Sequence, residues 1–101
     1  MLDYASLVEV GATGHTFDAG EKVFKQDDPA SHLYIVRTGR IQIVTYGTIL
    51  ENVGPGGVFG EMALIDDAPR SAAAIAMEPT EVLELSRAQF LALVQATPEF
   101  A

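Results

Sequence analysis

One stretch of this chain gathers the residue types that capture a small anion carrying a hydroxyl: Phe59-Gly60-Glu61-Met62-Ala63-Leu64-Ile65-Asp66-Asp67-Ala68-Pro69-Arg70-Ser71-Ala72. Gly60 permits close backbone approach, and Glu61 to Ile65 make a good single helical turn whose first N–H groups have no partner of their own. Such a turn attracts negative charge. Pro69 stiffens the approach to Arg70, whose planar guanidinium suits bidentate pairing with phosphate or carboxylate, and Ser71 adds a hydroxyl beside it. A carboxylate, a helix start and one Arg, placed this way, can grip a molecule that offers both a hydroxyl and a singly charged phosphate.

The rest of the chain must hold these groups. From Gly14 to Leu85 it reads as short β-type runs: Val23-Phe24, Leu33-Tyr34-Ile35-Val36, Ile41-Gln42-Ile43-Val44, Thr48-Ile49-Leu50, Ala73 to Met77 and Val82-Leu83-Glu84-Leu85. Turn residues separate them, as in Asp18-Ala19-Gly20-Glu21, Asp27-Asp28-Pro29, Thr38-Gly39-Arg40 and Tyr46-Gly47, and the regular spacing predicts an antiparallel barrel or sandwich. Alternation in Arg40-Ile41-Gln42-Ile43 sets both isoleucines on the core face. Gly54-Pro55-Gly56-Gly57 fits neither nucleotide-loop fingerprint and is expected to be a hairpin connection. Ser86 with Gln89 is a capping-box signature, and Phe90, Leu91, Leu93 and Val94 follow at helical spacing, so a helix is expected over 87–96 with Phe90, Leu93 and Val94 on its core face. Thr97-Pro98-Glu99 then repeats a helix-start signal with only Phe100 and Ala101 after it. Near the start, Asp3 could cap a short helix through Leu7 and Val8, or that stretch could be an edge strand.

Composition narrows the function classes. The 101 residues carry 6 Lys+Arg against 14 Asp+Glu, a formal charge of -8, with 2 His and no Cys. That length predicts one domain with one compact core. The acidic balance argues against holding a nucleic acid backbone, since each phosphate contact needs a cation. Absence of Cys removes disulfide frameworks, thiol catalysis and Cys-rich zinc sites. The longest apolar run, Ala72 to Met77, falls far short of the ~18–20 residues of a membrane span, which predicts a soluble, cytoplasmic protein without membrane contact. Asp66-Asp67 is expected to be a solvated loop, and His15 and His32, well apart in sequence, polar strand positions.

Gly60-Glu61-Met62-Ala63-Leu64 followed by Pro69-Arg70-Ser71-Ala72 resembles the phosphate-binding cassette of cyclic-nucleotide-binding domains. Gly20-Glu21-Lys22-Val23-Phe24, Leu33-Tyr34-Ile35-Val36 and Gly39-Arg40-Ile41 resemble the family's opening strands and turn glycines, so the similarity covers roughly residues 7 to 98. The resemblance implies a mainly β fold, an antiparallel eight-stranded β-roll (a jelly-roll-like barrel, about 10–85) with short flanking helices, acting as a non-catalytic sensor of cyclic AMP or cyclic GMP. Carried over by position, Glu61 would accept a hydrogen bond from the ribose 2′-hydroxyl and Arg70 would neutralise the cyclic phosphate. Gly60 and the amides near Met62 and Ala63 would complete the anion cradle, and Ser71 and Ala72 would contact phosphate or base. Leu64 and Phe90 would form the apolar contact that links phosphate capture to helix movement. No cofactor or metal is implied, and Ser71 favours cyclic AMP over cyclic GMP only slightly.

Two departures from the family pattern stand out. Asp27 replaces the usual turn glycine, and since Asp tolerates the left-handed conformation the turn is expected to survive. The family's lid helix, which would follow Thr97-Pro98, is expected to be missing or truncated. The output is not written in these residues: a partner protein or an effector domain outside this stretch would supply it. Two rival readings are an interaction module of the same fold with a vestigial site, and a cupin-like metalloenzyme, for which the two histidines lack the required spacing and third ligand.

Overall fold

The computed structural model describes residues 4–96. In chain order the elements are α1 (Tyr4–Glu9), β1 (Thr13–Phe17), β2 (Lys22–Phe24), β3 (His32–Thr38), β4 (Ile41–Thr45), β5 (Thr48–Val53), β6 (Val58–Phe59), α2 (Glu61–Asp66), β7 (Ala73–Ala76), β8 (Thr80–Ser86) and α3 (Arg87–Ala96). The strands form two four-stranded antiparallel sheets, in the orders β1-β8-β3-β6 and β2-β7-β4-β5. The sheets stack as an open roll and do not close into a barrel; the eight-stranded, mainly β architecture with short helices is otherwise the expected one.

Two core layers explain the two kinds of strand pattern. Tyr34, Val36 and Val82 of the first sheet meet Ile41, Val53, Ala74 and Ala76 of the second between the sheets. Leu33, Ile35, Leu83 and Leu85 point to the opposite face, where Leu7 of α1, Leu64 of α2 and Leu93 of α3 cover them. The first sheet is thus buried on both sides, so β3 and β8 read as near-continuous apolar runs; the second has a single covered face, so β4 alternates. Ile41 is fully buried and Ile43 packs beside it, on the face that the alternation assigned to the core.

The ambiguous N-terminal stretch is helical over Tyr4–Glu9, with Leu7 buried, while Asp3 lies outside the described residues. The capping box forms both ways: Gln89 N–H donates to Ser86 Oγ at 3.1 Å and Ser86 N–H to Gln89 Oε1 at 2.8 Å. Gln89 Nε2 also donates to Gly11 O, tying α3 to the loop after α1. The Thr97-Pro98 signal and the expected lid lie outside the described residues.

Gly54–Gly57 is not a hairpin connection. It carries the chain from β5 in one sheet to β6 in the other, with Gly57 N–H donating to Gly54 O at 2.9 Å. Gly56 N–H donates to Val36 O and Val36 N–H to Gly57 O, so the turn is bonded to β3 rather than closing a β5–β6 pair. Gly56 has φ 85°, and a Cβ on Gly57 would stand 2.5 Å from Val53 Cγ1, which is why glycines concentrate here. His15 stands on β1, a strand position as expected, although the Thr-Gly-His-Thr run at this sheet edge is little buried and carries no apolar pattern; β6, only two residues long, is not marked in the sequence.

Candidate functional site

Gly60 ends β6 and precedes α2 in the left-handed conformation, φ 81°. Past α2, Asp67 takes the same conformation at the helix end and the chain turns back through Pro69 to Arg70. The turn between β2 and β3 then grips Arg70 by its backbone: Arg70 N–H donates to Asp28 O at 2.9 Å, and Asp27 N–H donates to Arg70 O at 2.7 Å. Asp27, at φ 71°, supplies the left-handed residue this turn requires, as expected of an Asp replacing Gly.

The Arg70 side chain is turned inward and only 4% exposed. It donates from Nη1 to Gly60 O at 2.6 Å and from Nη2 to His32 O at 2.5 Å, and its Cζ lies 4.0 Å from the centroid of the Phe24 ring. Its Nε is buried with no hydrogen-bond partner among the described residues. Burial lowers the guanidinium pKa from its ordinary value, with Tyr34, Asp28 and Glu61 opposing the shift. A guanidinium never loses its proton in proteins, so the consequence is a buried cation that neighbouring polar groups must stabilise. Among the described residues Arg70 is not ion-paired with Glu61; its two terminal nitrogens are given to carbonyls.

All seven residues assigned to ligand binding line one cavity of about 140 Å³: Gly60, Glu61, Met62 and Ala63 at the start of α2, and Arg70, Ser71 and Ala72 on the return. Phe24, Ile43, Leu50, Glu51, Val58 and Phe59 complete the lining, mostly apolar, with the Arg70 guanidinium over the Phe24 ring. Those lining residues were not assigned to the site from the sequence. Ile43 was marked as inward-facing by alternation, but nothing in sequence tells that Leu50, exposed on an edge strand, borders the cassette. Leu64 lies on the other side of α2, in the helix-covered core, where Phe90 packs. Leu64 and Phe90 also line a second, mostly apolar cavity of about 340 Å³, and Glu61 borders both cavities.

The chain matches the family described as the cyclic nucleotide-binding domain over residues 15–97. It belongs to that family. It is 38% identical over 87 residues to the cyclic AMP receptor protein of Thermus thermophilus, covering 81% of this chain and 40% of that protein. Against the cAMP-dependent protein kinase regulatory subunit of Yarrowia lipolytica it is 38% identical over 73 residues, covering 72% of this chain and 20% of the relative. Among solved structures it is similar to the Thermus thermophilus catabolite activator protein (TM-score 0.79, 34% identity, 96% of this chain and 49% of that one). It is also similar to the regulatory domain of Toxoplasma gondii PKA co-crystallised with cAMP (TM-score 0.77, 30% identity, 97% of this chain and 40% of that one). The chain therefore spans less than half the length of these relatives, and its shared part is a cyclic nucleotide-binding regulatory domain.

The histidines, far apart in sequence, converge on one carboxylate. His15 Nε2 lies 3.4 Å and His32 Nε2 3.9 Å from Glu84 Oε1. Across the sheet, Glu84 is the direct antiparallel partner of Tyr34. Burial, then the Glu84 charge, push the Tyr34 phenol up from its ordinary value, while Arg70 draws it down. Asp66 and Asp67 are exposed, and no group of three or more potential ligands among the described residues is arranged to hold a metal ion.

Proposed function

We propose that the cavity between α2, Arg70 and the β4–β5 wall binds a cyclic nucleotide, cyclic AMP in preference to cyclic GMP, and that the domain is a non-catalytic sensor. One observation carries this reading: a buried Arg whose Nε has no partner borders a cavity with Glu61, Ser71 and the first residues of α2. A guanidinium has five N–H donors, so two carbonyl bonds leave it able to meet a phosphate. Glu61 would accept from the ribose 2′-hydroxyl while the Met62 and Ala63 amides, with Gly60, complete the cradle, and the apolar wall would take the base. Ser71 and Ala72, which line the same cavity, would contact phosphate or base.

Ligand pockets usually exceed about 300 Å³, so capture would widen the cavity. Movement of α2 would shift Leu64, and through the shared apolar layer and second cavity that shift would reach Phe90 and α3. The output would pass to an effector protein or to a further domain. Names of relatives support cyclic AMP: a cyclic AMP receptor protein and cAMP-dependent kinase subunits are among them. No helix among the described residues is long and apolar enough to cross a membrane; the domain would work in the cytoplasm.

A thermal-shift assay with cyclic AMP, cyclic GMP and 5′-AMP tests the reading. A ligand at about 100 times its Kd adds ~2.7 kcal/mol of stability, so cyclic AMP should raise Tm by several degrees, cyclic GMP less, and 5′-AMP not at all. No response to either cyclic nucleotide would favour the interaction module with a vestigial site.

A further inference from the structure

Glu84, Tyr34, His15 and His32 occupy one face of the first sheet, and the Tyr34 ring centroid lies 5.8 Å from Arg70 Cζ. Tyr34 and Glu84 are direct partners across β3 and β8, His32 stands two residues before Tyr34 on β3, and His15 faces Glu84 from β1. The His15 side chain is partly exposed, yet its Nε2 is out of solvent and, although 3.4 Å from Glu84 Oε1, has no hydrogen-bond partner among the described residues. A buried polar atom without a partner is uncommon, and the Glu84 carboxylate is the group that an N–H at this position would reach. His32 touches both ends of the arrangement. Its ring faces Glu84, with Ser31 Oγ at 2.7 Å from Nδ1, and its carbonyl accepts from Arg70 Nη2.

We propose that Glu84, bracketed by His15 and His32 and connected through Tyr34, positions the Arg70 guanidinium, and that proton uptake by the two histidines strengthens anion capture in the adjoining cavity. Glu84 and Arg70 act on the Tyr34 hydroxyl with opposite sign, the carboxylate favouring the phenol and the guanidinium opposing it. Asp28 and Glu61 act on Arg70 besides Tyr34, while Arg37 and Glu81 are occupied with each other at 3.2 Å.

The sign follows from charge balance. With both imidazoles neutral, the negative charge of Glu84 is directed through Tyr34 onto Arg70 and offsets part of the field an incoming anion meets. With them protonated, Glu84 is balanced locally and Arg70 is released to the anion. Affinity for a cyclic phosphate therefore rises as pH falls through the range in which imidazoles gain a proton. Both histidine side chains are more than a third exposed, so screening keeps the effect modest, about three- to fivefold. The affinity part of the proposal rests on the cyclic nucleotide reading of the cavity; the link from the histidines to Arg70 does not.

The test has two arms. In the ligand-free protein, the NMR signal of the Arg70 Nε–H is followed from about pH 8 to about pH 5.5, the imidazole range. It should shift in wild type, shift less in Tyr34→Phe, and stay still when His15→Gln and His32→Gln are combined. These are the only 2 histidines of the chain, so the double variant removes every imidazole. In the second arm, calorimetric titration with cyclic AMP should give the three- to fivefold gain in wild type and none in the double variant, with Glu84→Gln binding more tightly than wild type at the higher pH. An Arg70 signal that stays still in wild type, or that shifts equally in the double variant, overturns the proposal. A chain that takes up no cyclic AMP at any pH while its Arg70 signal follows the histidines refutes the ligand reading and supports the positioning link.

Discussion

Arg70 does two jobs that a single substitution would disturb together. Its guanidinium lies over the Phe24 ring and satisfies the carbonyls of Gly60 and His32, so Arg70→Ala strands two acceptors as well as removing a cation. Truncating one partner of a desolvated charge pair costs ~2–5 kcal/mol, which predicts a 30- to several-thousand-fold loss of cyclic AMP affinity at ~1.4 kcal/mol per tenfold. Arg70→Lys keeps the charge but not the fork, and should also bind poorly while melting closer to wild type. Calorimetry on folded protein returning a wild-type Kd for Arg70→Ala would remove Arg70 from the site. Gly60→Ala should fail for another reason: a Cβ there would stand 2.7 Å from Arg70 Nη1 in a backbone conformation that L side chains avoid. The residue types of the cassette were legible in sequence, but the inward turn of Arg70 was not, because it depends on carbonyls at Gly60 and His32, the latter far away along the chain.

α2 separates the two cavities, with Glu61 on both and Leu64 buried behind it. Movement of so short a helix has to be taken up by what packs around it, and Phe90 of α3 packs against the same apolar cluster as Leu64. Leu64→Ala and Phe90→Ala are expected to leave cyclic AMP binding within about tenfold while reducing the ligand-induced change in hydrogen exchange across α3, since core truncations of this kind cost ~2–5 kcal/mol and loosen the joint between the helices. If the exchange response of α3 is unchanged in both variants, the α2–α3 link is wrong. Of the elements, α3 was announced by its own capping box, and most of the core strands by their apolar runs. β1 was marked only by His15 as a polar strand position, because an exposed edge strand needs few apolar residues, and β6 was silent because two residues carry no period.

For the whole molecule, charge is the property with the longest reach. With 14 acids against 6 Lys+Arg, the 101-residue chain carries a formal -8, and the compact state concentrates that charge. The Arg37–Glu81 pair is partly exposed and offsets little of it. Raising sodium chloride from about 10 mM to about 150 mM shortens the Debye length from about 30 Å to about 8 Å and should raise Tm; a Tm that falls with salt would mean that attractive pairs outweigh self-repulsion. The sequence by itself determined the strand-and-turn character of the fold, the helix start at Ser86 and the cassette that marks the family, because these depend on local periodicity, turn chemistry and short spacing. Only the tertiary structure decided that Gly54–Gly57 crosses between sheets, that Leu50 borders the cavity, and that His15 and His32 meet at Glu84. Those relations are set by which strands pair and in what register, and pairing between distant segments leaves no mark in the spacing of neighbouring residues.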